Sequence, residues 1–254
     1  MTQKRKSRVT VFSLFGELLI TVGVVMLLFA FYESYWTNIA AGKQQQEVAA
    51  QMEQQWSNPR VKHDPQLGEA FARIYIPAFG SDFHFAIVEG TEEADLEKGP
   101  GRYVDSQMPG QHGNFAVAGH RVGKGAPFND LGSLHACDAI VIETQTAWEI
   151  YRMLPVDGDR AQQVNCLNPE QRERVLSGDY SDIEGRLITV PGDIGVIYPH
   201  PGVDIAANDG MEPLLTLTTC HPQFSNAERM IVHAMLVRSD PKHGDYKPQE
   251  LESN

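Results

Sequence analysis

The chain has 254 residues, 42% of them hydrophobic, which is length for one large or two small globular domains. Its formal net charge is −12 and its basic residues cluster only at the N-terminal tip, so a nucleic-acid partner is excluded for want of a basic stripe. Three cysteines are an odd number, and at least one of them is therefore expected to be unpaired.

Lys4, Arg5, Lys6 and Arg8 precede an apolar run from Val9 to about Tyr32 in which Glu17 is the only charge. Roughly 20 apolar residues cross a bilayer as a helix, and this run is long enough. It is too long for a signal-peptide core, and no Ala-x-Ala site closes it. Tyr32, Tyr35 and Trp36 supply interfacial anchors, and the basic cluster keeps the N-terminus cytoplasmic. Residues 1–8 are thus expected as a cytoplasmic tip and 9–36 as a single transmembrane helix in the cell membrane, with the body of the chain outside. A cleaved signal and a buried core helix are the competing readings.

Residues 37–70 are polar and glutamine-rich, which predicts a partly helical stalk stopped by Asn58 and Pro59 and followed by a flexible link. Residues 71–238 carry the globular domain. Segments 71–76 and 84–88 read as a hairpin, and Thr91 as the N-cap of a short helix over 92–98. Segment 114–120 is a strand on which Ala116, Ala118 and His120 share a face, 128–131 is one helical turn, and 139–144 with 148–154 form a second hairpin. Asn168 caps a helix with Pro169 at its first position, and 187–190 is a further strand. Residues 239–254 are expected as a polar, mobile tail. Many short strands and few helices in one body predict an all-β, closed barrel.

The most informative stretch is 214–222, followed by 228–236. Leu215 and Leu217 alternate with Thr216 and Thr218, so a period of two puts Cys220 on the threonine face, away from the core. An antiparallel return over 228–236 brings Arg229 back beside Cys220. A thiol beside a guanidinium is a reactive-cysteine arrangement, because positive charge stabilises the thiolate. His221 is adjacent in sequence but points to the opposite face. If Cys220 is the free thiol, Cys137 and Cys166 are either a disulfide or two separate thiols. Neither a His-Glu-x-x-His nor a Cys-x-x-Cys spacing occurs, and no metal or cofactor is expected.

Three motifs together, Gly113-Asn-Phe-Ala-Val-Ala-Gly-His-Arg121, Leu215-Thr-Leu-Thr-Thr-Cys220 and Glu228-Arg229, resemble those of sortases, membrane-anchored cysteine transpeptidases of Gram-positive bacteria. The Thr-Leu-Thr-Thr-Cys-His-Pro wording and Gly99-Pro-Gly-Arg-Tyr103 are similar to the class E branch of actinobacteria. The resemblance implies an eight-stranded β-barrel with short helices, Cys220 as nucleophile, His120 as general acid/base and Arg229 as the oxyanion-stabilising or substrate-holding cation. It implies cleavage of a Leu-Pro-x-Thr-Gly or Leu-Ala-x-Thr-Gly sorting signal between Thr and Gly through a thioacyl enzyme. A peptidoglycan-precursor amine then resolves that intermediate, so the implied partners are sorting-signal surface or pilin proteins, the wall precursor and the bilayer. Tyr103, Thr218 and Thr219 are the implied substrate contacts.

The chemistry fits the residues independently of the family. A thiolate forms a labile acyl bond, an imidazolium protonates the leaving amine, and a guanidinium offers donors to the developing oxyanion. Two other classes compete: an extracytoplasmic thiol protease, in which water resolves the thioester, and a non-catalytic anchored β-domain.

Overall fold

The structure is a computed structural model in which residues 11–32, 37–57 and 64–252 are described. The basic cluster Lys4, Arg5, Lys6 and Arg8, the aromatic residues Tyr35 and Trp36, and the stop at Asn58 and Pro59 lie outside the described residues.

A ring of eight strands is joined by six antiparallel and two parallel contacts. The first hairpin is β1 (Ala70–Tyr75) with β2 (His84–Glu89), turned by a 3-10 segment at Pro77–Phe79. The two-residue β3 (Gly101–Arg102) runs parallel to β2, and β4 (Gly113–Ala118) runs antiparallel to β3. The second hairpin is β5 (Ala139–Glu143) with β6 (Ala147–Met153), and β5 also pairs with β1. Outside the ring lies β7 (Arg186–Thr189), while β8 (Pro213–His221) pairs parallel with β4 and antiparallel with β9 (Glu228–Pro241). The 14 residues of β9 serve two neighbours in succession: β7 takes Arg229 to Val232, and β6 takes Ala234 to Pro241. The β6–β9 contact closes the ring, which removes its open edges.

The interior follows the predicted alternation. Ile74, Ile87, Phe115, Val117, Ile142, Tyr151, Leu215, Leu217 and Val232 fill it and are fully buried. Each such side chain contributes on the order of 2 kcal/mol relative to exposure. The opposite face of β8 is also covered. Thr216 lies beneath the chain leading into β8, where Asn114 donates to the carbonyl of Tyr198 at 3.0 Å and Thr216 bonds both Asn114 and His233 at 2.8 Å, and Thr218 is buried beside Tyr103. The threonine face is thus outside the barrel but not open to water. The excursion over 155–185 has its own apolar cluster, in which Leu154, Val175 and Tyr180 pack with Leu214 and Met235. Within it α4 (Pro169–Leu176) starts as predicted: the Asn168 side chain accepts from the Gln171 amide in a capping box with proline in the first turn.

Two ends differ from expectation. The helix α2 (Thr37–Trp56) lies against the barrel along a stripe spaced by three and four residues, with Val48 and Met52 buried on Ala70, Ala86 and Val88 and Glu53 paired to Arg73 at 2.7 Å. The sequence suggested a stalk because polar residues dominate and the stripe mixes types. The segment after 238 is also tied down rather than mobile. β9 runs to Pro241, Lys242 stacks over Trp56 at 4.1 Å, and buried Glu250 pairs with Arg152 at 2.9 Å and Arg238 at 2.7 Å. Smaller differences are local. The helix near Thr91 is only α3 (Glu93–Leu96), begins after Glu92 and has no side-chain cap, and the turn expected at 128–131 is a 3-10 segment at Leu131–Ser133.

Among the described residues one helix, α1 (Val11–Phe31), is long and apolar enough to cross a membrane, and its 20-residue core has a mean hydropathy of 2.4. None of that core is covered by protein.

Candidate active site

Three strands bring the three sequence-designated residues to one end of the barrel. In the parallel β4–β8 pair Ala118 lies level with Thr218. Past the end of β4 the contact continues through Gly119, whose amide donates to the Thr218 carbonyl at 3.0 Å and whose carbonyl accepts from the Thr219 hydroxyl at 2.8 Å. His120 thus follows Ala118 by two residues just as Cys220 follows Thr218, and both reach the same end of the barrel. On the other side of β8, Cys220 is the direct partner of Arg229 in the antiparallel β8–β9 ladder. Residues directly opposite in such a ladder share a face, so Cys220 sits between a histidine and an arginine.

Cys220 is the free cysteine and is half-buried. His120 is also half-buried, and its Nε2 has no hydrogen-bond partner among the described residues. Burial lowers its pKa below the usual histidine value, while the nearby Glu97 charge acts in the opposite direction. The neutral form of the ring is favoured accordingly. The Arg229 guanidinium donates through Nη1 to the carbonyls of Asn226 at 3.1 Å and Glu228 at 2.9 Å, which ties it to the β8–β9 turn. Only Nη1 is used in these bonds, and the fork has further donors.

Sequence reasoning passed over Arg121. Its Nη1 donates to the Cys220 carbonyl at 3.2 Å and to His221 Nδ1 at 2.5 Å, so it clamps the backbone on which the thiol is mounted. The signal was available, since Arg121 directly follows His120, but alternation alone sends it to the other side of the strand. His221 is correspondingly occupied as an acceptor.

Tyr103 lies on the same outer surface and bonds Thr218 through its hydroxyl at 3.0 Å. Thr218 and Thr219 are both buried, and their hydroxyls are engaged by Tyr103 and the Gly119 carbonyl. Hydroxyls in a covered strand satisfy neighbouring polar groups in this way. Gly119 is required for packing, since a Cβ there would lie 2.5 Å from the Phe128 ring. Away from the site, Cys137 and Cys166 are joined by a disulfide that ties the 155–185 excursion to the approach to β5. Among the described residues no group of three or more His, Cys, Asp or Glu is placed to hold a metal.

A family model described as "Sortase domain" matches residues 74–237. Sortase SrtE1 of Streptomyces coelicolor is 31% identical over 246 residues, covering 94% of this chain, and this chain spans 60% of its length. Sortase SrtE2 of the same organism is 28% identical over 93% of this chain and 86% of its own length. Among solved structures, the SrtF sortase from Corynebacterium diphtheriae is 62% identical, with a TM-score of 0.75 over 78% of this chain and 98% of its own. The matched segment runs from within β1 to within β9, contains the other six strands of the ring entire and includes all three site residues; the chain belongs to the sortase family, in its actinobacterial type.

Proposed function

We propose that this chain is a membrane-anchored cysteine transpeptidase. The observation that carries the reading is Cys220, half-buried and free, placed between His120 on the β4 side and Arg229 on the β9 side. Cys220 attacks the scissile carbonyl of a sorting signal of Leu-Pro-x-Thr-Gly or Leu-Ala-x-Thr-Gly type. The carbonyl oxygen takes up negative charge, and Arg229 supplies donors to it, a contribution worth roughly 3 to 4 kcal/mol. His120 takes the proton of the Cys220 thiol as it attacks and passes it to the leaving glycine amine, within hydrogen-bond reach or through one water. The thioacyl enzyme is then resolved by an amine of the peptidoglycan precursor, whose proton His120 takes up and returns to the departing Cys220 sulfur. Conserving the acyl energy in a thioester needs no external energy source. Tyr103, on the outer surface beside Thr218, is the proposed contact for the second position of the signal.

The anchor is α1, oriented with its N-terminus in the cytoplasm by the basic cluster before it. The length and hydropathy of α1 support the span, and the disulfide supports an oxidising compartment for the domain.

The test is incubation of the full chain in detergent with a sorting-signal peptide, with and without an added amine. Wild-type protein should release the glycine-containing fragment and join the remainder to the amine, and Cys220→Ala should do neither. Hydrolysis unaffected by amine would assign a thiol protease instead. An active Cys220→Ala variant would remove the proposal altogether.

A further inference from the structure

The segment that follows His120 is strained and is held from outside the barrel. Lys124 and Ala126 have φ of +51° and +42°, in a region that side-chain-bearing residues rarely adopt, and Gly123 before them and Gly125 between them are also at positive φ. Such a conformation persists only where neighbouring groups over-determine it. Within the loop, the Ala126 amide donates to the Gly123 carbonyl at 2.8 Å and the Phe128 amide closes onto the His120 carbonyl at 3.0 Å. That second bond couples the shape of the loop directly to the backbone of His120.

The remaining restraints come from two other places. Lys124 Nζ pairs with Glu93 and Glu97, the latter at 3.0 Å. The peptide between Lys124 and Gly125 is held by α2: the Gly125 amide donates to Asn38 Oδ1 at 2.9 Å, and Gln45 Nε2 donates to the Lys124 carbonyl at 3.3 Å. The fit is close, because a Cβ at residue 125 would lie 2.6 Å from Gln45 Nε2. Asn38 and Gln45 belong to the same stripe of α2 as Ala41, Val48, Met52 and Trp56. Lower on that stripe Val48 and Met52 are apolar and buried against β1 and β2. Higher up it presents an acceptor and a donor, matched to the two backbone groups of a loop that has no strand to pair with.

We propose that α2, the helix that follows the membrane-spanning helix in sequence, is part of the catalytic unit, with Asn38 and Gln45 acting as positioning residues for His120 through the loop at 121–126. This rests on the reading of His120 as the acid–base residue. Placement of a proton donor is sensitive to small shifts, so loosening the loop should appear in turnover rather than in substrate affinity.

The experiment uses the full chain in detergent micelles and compares wild type, Asn38→Ala/Gln45→Ala and Asn38→Asp. The double variant should lower kcat on the order of tenfold with KM little changed, exchange its Gly125 amide proton faster, and shift the His120 ring resonance without substrate present. Asn38→Asp retains an acceptor for the Gly125 amide and should keep wild-type values in all three. The thermal midpoint of each variant reports whether the fold survives. Faster exchange at Gly125 with unchanged kcat and an unchanged His120 resonance overturns the proposal, as does a double variant in which Gly125 exchange is unaltered. If wild-type protein fails to transfer any peptide but the His120 resonance still responds to the double substitution, the transpeptidase reading fails and the positioning role stands.

Discussion

The Thr219 hydroxyl donates to the carbonyl of Gly119 at 2.8 Å, and this one bond ties the residue before the proposed nucleophile to the residue before the proposed acid–base. Cys220 and His120 therefore sit at the ends of two parallel strands whose backbones are stitched together one step upstream of both.

Replacing Thr219 with Val keeps the shape and removes that donor. The Gly119 carbonyl is left short of a partner in a buried setting, which costs about 1 to 3 kcal/mol. The expected result is a lower urea midpoint together with a fall in kcat larger than the change in KM. Thr216→Val, three residues upstream on the face that packs beneath the β8 approach, also costs stability through Asn114 and His233 but leaves kcat nearer to wild type.

The acidity of His120 is open to a direct test through Glu97. Burial lowers the pKa of the ring and the Glu97 charge raises it, so Glu97→Gln removes the opposing influence. The His120 ring resonance should then titrate at lower pH than in wild type, and the lower flank of the pH–rate profile should move the same way. A titration that moves upward would show that the carboxylate does not act on the ring by charge. The sign for stability follows from the same direction: a neutral ring is favoured in the fold, so its contribution is intact above the ordinary histidine value and is lost as pH falls below it.

His233 makes the stronger case. It is buried and bonded to Thr216, and burial pushes its pKa down to about 4 from the model-compound value of 6.5. Between those values the unfolded chain binds a proton that the folded chain refuses. Stability should therefore fall by about 3 kcal/mol as pH drops from 7 to 4, and then level off with respect to this group. Urea unfolding of wild type and His233→Gln across that range checks it, and the variant should show a shallower slope whatever its absolute stability.

The disulfide closes a loop of 29 residues and should stabilise the fold by about 3 to 4 kcal/mol through the unfolded state. A Cys137→Ser/Cys166→Ser double variant should unfold at a lower midpoint while Cys220 keeps its reactivity towards iodoacetamide, because the bond lies on the 155–185 excursion and not at the thiol. Loss of Cys220 alkylation in that variant would mean that the excursion supports the site as well.

What the sequence determined on its own is what local periodicity records. Alternation over 214–220 set the faces of β8 and the side on which Cys220 lies, the return over 229–236 set Arg229 opposite it, and Asn168 with Pro169 marked the start of α4. The apolar run near the N-terminus was equally plain, because a bilayer-length helix needs no partner to be recognised. Tertiary structure alone decided the rest. That His120 comes to the same end of the barrel as Cys220 depends on parallel pairing of β4 with β8, which lie about 100 residues apart and share no local signal. Arg121 became part of the site for the same reason. The contact stripe of α2 and the anchoring of Glu250 could not be read from polarity, because their polar side chains are matched to backbone carbonyls, amides and charges that only the folded barrel presents.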